Sequence, residues 1–67
     1  MEINAQIGET AGEIWHLLND EGPQTLAQLG KKLKRANGRL NFAVGWLARE
    51  EKVDIIEDKK THRIQLK

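Results

Sequence analysis

Apolar positions recur along this chain with two different periods, and the change between them divides it. Over residues 4–19, Ile7, Ala11, Ile14, Trp15 and Leu18 return every three or four positions, with Ile3 and Leu17 flanking the stripe. That spacing predicts an amphipathic helix. Glu9 and Glu13 fall on its other face, and Gly22 followed by Pro23 supplies a left-handed cap and a stop. The apolar arc covers about 160° at ~100° per residue, more than one neighbouring helix would hide. It is either core beneath a small sheet or a dimer surface. Residues 22–25 are too short for a strand of their own and are expected to run extended into a second helix, which Thr25 and Gln28 begin with a capping box. Leu26, Leu29 and Leu33 give that helix one apolar face as far as about Lys34. Asn37-Gly38 breaks the pattern, and a third helix is expected to follow to about residue 51, burying Leu40, Ala43, Val44 and Leu47.

Beyond residue 52 the alternation is that of strands, over 53–58 and 62–67 around Lys59-Lys60. Pairing Glu57 with His62 sets Ile55 opposite Ile64 and Val53 opposite Leu66, all four on one face, and turns Ile56 toward Arg63 on the other. Lys-Lys is a poor two-residue hairpin turn, because neither residue takes positive φ cheaply. A longer or mobile basic loop is expected there. The elements together predict an α+β fold: helix, short extended piece, helix, turn, helix, and a two-stranded β hairpin.

Charge sharpens the picture. The net charge is +1, yet residues 22–49 hold Lys31, Lys32, Lys34, Arg35, Arg39 and Arg49 and no Asp or Glu. Residues 1–21 hold Glu2, Glu9, Glu13, Asp20 and Glu21 and no Lys or Arg. A solvated face normally mixes signs, so a basic segment coinciding with two short consecutive helices points to nucleic acid.

Size and composition exclude several classes. With 67 residues the chain is expected to be a single domain over residues 1–67, near the lower end of what folds alone. It has no Cys, so packing or self-association must stabilise it. Its apolar runs are far short of the ~20 residues needed to cross a bilayer, and a cytoplasmic protein without membrane contact is expected. No Ser or Cys nucleophile is present, His16 and His62 lie in different elements, and no glycine-rich phosphate loop occurs. His16 is expected to be partly buried beside the first stripe, and His62 to be an exposed neighbour of Glu57. No enzyme, metal, cofactor or small-molecule ligand is expected.

Gly22-Pro23-Gln24-Thr25, Leu29-Gly30-Lys31-Lys32-Leu33, the stripe Leu40, Ala43, Val44, Leu47, and the run from Gly45 to Val53 carry a resemblance that covers nearly the whole chain. It resembles the winged helix-turn-helix fold, as found in small stand-alone bacterial winged-helix domains, and less closely multiple-antibiotic-resistance-type regulators. The spacing of seven between Leu33 and Leu40 is that of a helix-turn-helix. The resemblance implies a three-helix domain with a β wing whose third helix enters the major groove of double-stranded DNA, in a transcriptional regulator that commonly acts as a dimer. Two departures stand out. Such domains usually carry Gly near Glu51, and an apolar residue and a Ser or Thr cap where this chain has Arg35 and Ala36, so Asn37 is expected to cap instead.

With Leu40, Ala43, Val44 and Leu47 inward, a helical wheel turns Gly38, Asn41, Phe42, Gly45 and Arg49 outward, with Arg39 and Trp46 on the flank. Arg39, Asn41 and Arg49 are the candidates for base edges. Lys31, Lys32, Lys34 and Arg35, with Lys59, Lys60 and Arg63 of the hairpin, are the candidates for phosphates. Phe42, Gly45 and Trp46 suit a protein surface better than a phosphate backbone; alternatively Trp46 tucks under the wing. The competing expectation is therefore a homodimerisation or protein-interaction module on the same fold.

Overall fold

The computed structural model describes residues 3–67, and the side chains of all of these except 3, 4, 37 and 58. Three helices and three strands follow in the order α1 (Ile3–Glu21), β1 (Gln24–Thr25), α2 (Leu26–Leu33), α3 (Asn37–Arg49), β2 (Val53–Asp58) and β3 (Thr61–Leu66). The arrangement is α+β, a helix-turn-helix followed by a β wing, as the residue pattern predicted. The flanking role expected of the Ile3 side chain lies outside the described residues.

α1 runs to Glu21, two residues past its expected end, and stops where the left-handed Gly22 (φ 84) donates its N–H to Leu18 O at 2.9 Å. The expected capping box at α2 is formed. Gln28 N–H donates to Thr25 Oγ1 (3.1 Å) and Thr25 N–H to Gln28 Oε1 (2.8 Å). Residues 24 and 25, expected to be merely extended, form a strand after all, because β3 offers them an open edge. Gln24 pairs with Ile64 and Thr25 with Arg63, so β3 is the middle strand of an antiparallel sheet ordered β1-β3-β2.

The turn between α2 and α3 lies earlier than expected. Lys34 (φ 55) takes the left-handed conformation and Ala36 is extended (φ −65, ψ 147), which together reverse the chain. Asn37-Gly38 is therefore not the break but the first turn of α3. Asn37 is inside the helix rather than its cap, and its side chain lies outside the described residues. Ala36 stands in the capping position with no side-chain hydrogen bond.

At its other end α3 closes with Glu51 at φ 59, Glu51 N–H donating to Ala48 O (3.0 Å) and Lys52 N–H to Leu47 O (2.9 Å). This paired closure needs a left-handed residue, and it occupies the position where a glycine was expected. The hairpin keeps the predicted register, Val53 with Leu66, Ile55 with Ile64 and Glu57 with His62. Its loop is tighter than expected. Pairing extends to Asp58 and Thr61, leaving Lys59 and Lys60 as a two-residue turn with Lys59 at φ 50. The completed ladder offsets a left-handed residue that costs about 1–2 kcal/mol.

The core joins all three helices to the sheet: Ala11, Ile14 and Leu18, Leu29, the predicted quartet Leu40, Ala43, Val44 and Leu47, and Val53 with Ile64. α1 packs chiefly on α3 and also on β3, which accounts for most of its broad apolar arc. Thr10 is buried there as well, although no apolar pattern marks it, and its hydroxyl has no hydrogen-bond partner among the described residues. Ile55 shares the inner face with Ile64 but is 43% exposed, because the wing extends past the helices that cover its base.

Candidate nucleic-acid interface

The bases of the helix-turn-helix fall into two groups. Those that meet α1 are held by it. Arg35 donates from Nε to Glu13 Oε1 (3.0 Å) and from Nη2 to Glu13 Oε2 (2.7 Å), with Glu9 3.6 Å from the same guanidinium. Such a two-pronged pair fixes the guanidinium plane. The hydrogen bond from Arg35 holds the Glu13 carboxyl below its ordinary range, against the opposing effect of desolvation, and the same bond raises Arg35. Lys32 Nζ lies 2.6 Å from Glu21 Oε1, and Arg39 Nη2 donates to Gln6 Oε1 at 2.8 Å.

The second group points elsewhere. Lys31 and Lys34 at the end of α2, Arg49 at the end of α3, and Lys59, Lys60 and Arg63 on the wing are exposed and have no carboxylate partner among the described residues. Of the seven candidate phosphate contacts, Lys32 and Arg35 thus carry intramolecular partners, and the other five have none among the described residues. His62 Nε2 stands 3.5 Å from Glu57 Oε2, the expected cross-strand neighbour. His16 is exposed rather than partly buried, its ring edge-on to Trp15 at 5.4 Å.

α3 presents two distinct sides. Toward the wing and α2, Asn41 and Gly45 line a groove of about 290 Å³ with Leu26, Ile55 and His62. A neighbouring hollow of about 300 Å³ is lined by Leu26, Ala27, Leu40 and Asn41. Toward α1, Arg39 and Phe42 border a hollow of about 170 Å³ with Gln6, Ile7 and Gly38. On that side too, Trp46 borders one of about 340 Å³ with Gly8, Gly12, Trp15 and Lys52.

The three candidate base contacts therefore do not share one face: Asn41 looks to the wing groove, Arg49 outward, and Arg39 to α1. The candidate protein-contact residues are divided in the same way, Gly45 from Phe42 and Trp46. Trp46 does not tuck under the hairpin. It stands on the α1 side, 51% exposed, with Phe42 57% exposed. Sequence reasoning missed Gln6, Glu13 and Glu21 as partners of the bases. The signal for them was the all-acidic segment before residue 22, complementary to the acid-free segment after it.

Comparison with known proteins agrees with this architecture. An uncharacterized protein of the archaeon Methanocaldococcus jannaschii is 45% identical over 65 residues, covering 92% of this chain and 91% of the relative. Residues 1–66 match the family described as winged helix-turn-helix domain (DUF2582). With its capped helices, two-sided third helix and paired wing, the chain belongs to that winged helix-turn-helix family.

Proposed function

We propose that this chain binds double-stranded DNA as a transcriptional regulator, laying α3 in the major groove and the wing along the adjoining backbone. The observation that carries this reading is the sorting of its cations. α1 neutralises Lys32 and Arg35, whereas Lys31 and Lys34 at the helix-turn-helix corner and Lys59, Lys60 and Arg63 on the wing stay exposed without a described carboxylate partner. Phosphate contacts from such positions set register without reading sequence. Asn41 and Arg49 are then the first candidates for base edges. Arg39 joins them only by leaving Gln6, and Lys32 and Arg35 reach phosphate only by leaving Glu21 and Glu13.

The test is the salt dependence of binding to a labelled generic duplex. Each neutralised phosphate contributes about −0.9 to the slope of log K against log salt, so the five exposed cations predict a slope near −4.5, and all seven would give about −6. Lys59→Gln with Lys60→Gln should flatten it by about 2. Absence of binding at low salt, or a flat response, overturns the reading. The exposure of Phe42 and Trp46 favours a second reading, a protein-docking surface on the opposite side of α3 from the wing groove.

A further inference from the structure

We infer that the groove between α3 and the wing reads A·T base pairs from the major-groove side, the Asn41 carboxamide pairing with the adenine edge and the apolar wall of the groove receiving the thymine methyl. The inference rests on the DNA-binding reading and adds to it the class of sequence recognised.

Elimination is the first ground. Asn41 borders both hollows on that side of α3, the one of about 290 Å³ shared with Gly45, Ile55 and His62 and the one of about 300 Å³ shared with Ala27, and Leu26 lines the two together. Neither is lined by a Lys, Arg, Asp or Glu among the described residues. Major-groove base edges are read by few side-chain types: Arg or Lys on guanine, Asp or Glu on cytosine, Asn or Gln on adenine, and apolar carbon on the thymine methyl. The groove offers the last two and neither of the first. Asn41 is exposed and its side chain makes no hydrogen bond among the described residues, whereas His62 has Nε2 3.5 Å from Glu57 Oε2. The arginines lie elsewhere. Arg35 and Arg39 are held by Glu13 and Gln6, Arg63 follows His62 on β3 and so faces the other side of the sheet, and Arg49 stands about 12 Å along α3 from Asn41 at ~1.5 Å per residue.

Room and charge are the second ground. Gly45 follows Asn41 by one turn of α3 on the same side, is exposed, and a Cβ built there meets nothing within 4 Å. Packing within the chain does not require a glycine at that position, and an interior glycine weakens a helix. Its bare backbone leaves the helix surface low beside the carboxamide, where a base edge has to come close. Ala27 and Ile55 are exposed beside it and Leu26 is partly buried. These carbons match the thymine methyl, the apolar group that a base pair shows in the major groove. The cations with no described carboxylate partner, Lys31, Lys34, Lys59, Lys60 and Arg63, belong to α2 and the wing, the two elements that wall the groove. Phosphates are thus met from the flanks, and the groove itself carries no Lys or Arg.

The test is a fluorescence-anisotropy titration of four loop-closed duplexes of equal length at low salt, with alternating A·T, G·C, A·U and I·C stems. A·U lacks the thymine methyl. Inosine shows the guanine pattern in the major groove but, without the 2-amino group, the A·T pattern in the minor groove. The A·T stem should bind about 5 to 150 times more tightly than G·C, the range of one bidentate pair, with A·U roughly threefold weaker than A·T and I·C ranking with G·C. Asn41→Ala, at an exposed position, should remove the A·T preference while the helical circular dichroism spectrum, the G·C affinity and the salt slope stay as they are. Equal affinity for all four stems overturns this inference alone, as does a preference that survives Asn41→Ala, or an I·C stem bound like A·T, which would put the readout in the minor groove. Failure to bind any stem at low salt overturns the DNA-binding reading and this inference with it.

Discussion

Glu51 is the most informative single residue to change. It holds φ 59 at the closure of α3, where Glu51 N–H meets Ala48 O and Lys52 N–H meets Leu47 O, and it has no ionic partner among the described residues. A left-handed residue with a Cβ costs about 1–2 kcal/mol. Glycine removes that cost but gives the unfolded chain more freedom, worth about 0.4–1 kcal/mol. The balance favours Glu51→Gly by about 0.5–1 kcal/mol. For a domain of 60–100 residues, each kcal/mol shifts the melting temperature by about 4–8 °C, so a rise of about 2–8 °C is expected in a thermal melt followed by circular dichroism.

Glu51→Ala is the necessary control, because it removes the same charge while keeping the Cβ in the left-handed region. Its melting temperature should stay near that of the wild type. If Glu51→Ala stabilises as much as Glu51→Gly, charge rather than backbone conformation governs the site, and the reasoning fails. If neither variant stabilises, the closure is not strained.

Other expectations follow from the same structure. Ala36→Ser should supply the side-chain acceptor that α3 lacks and raise stability by about 1 kcal/mol, seen as a higher urea midpoint with unchanged slope. Glu13→Gln should be destabilising at neutral pH. A carboxylate whose folded-state pKa is depressed contributes stability that is complete above its unfolded pKa and lost as pH falls through the folded value, so wild type and variant should converge in acid below the ordinary carboxylate range. A gap that persists in acid would place the effect elsewhere than in the Arg35 ion pair. Leu29→Ala, at a fully buried position of the core, should cost about 2–5 kcal/mol. At about 4–8 °C per kcal/mol for a domain of this size, the melting temperature followed by circular dichroism should fall by at least about 8 °C.

Much local chemistry was legible in the residues, although the turn before α3 stands at Lys34 to Ala36 rather than at Asn37-Gly38, and Ala36 rather than Asn37 takes the capping position. The capping box at Thr25 and Gln28, the left-handed stop at Gly22, the quartet Leu40, Ala43, Val44 and Leu47, and the hairpin register all follow from spacings of a few positions, and each appears as read. Most of what else escaped needed a partner distant in sequence. Residues 24 and 25 become a strand only because β3, almost forty positions later, has an unpaired edge. Lys59, a poor residue for a tight turn by itself, is held there by ladder pairing on both sides.

The candidate site escaped for the same reason, and this bears on which basic residues would meet a duplex under the proposed function. A helical wheel of α3 alone makes Arg39 a flanking base contact, and the charge run alone makes Arg35 a phosphate contact. Yet Glu13 lies 22 positions from Arg35 and Gln6 lies 33 from Arg39, so only the folded packing of α1 on the helix-turn-helix brings them within hydrogen-bond distance. Those pairs do more than withdraw two cations. They tie α1 to the turn and to the start of α3, and so fix which arc of α3 looks outward. The direction in which Asn41 and Arg49 point is therefore partly decided by carboxylates and an amide on a different helix. Under the proposed DNA-binding function, loss of Glu13 should act in two opposing ways, releasing a cation for phosphate while loosening the frame that aims the candidate base contacts Asn41 and Arg49. A steeper salt slope with weaker discrimination between duplex sequences would be the joint signature of both effects.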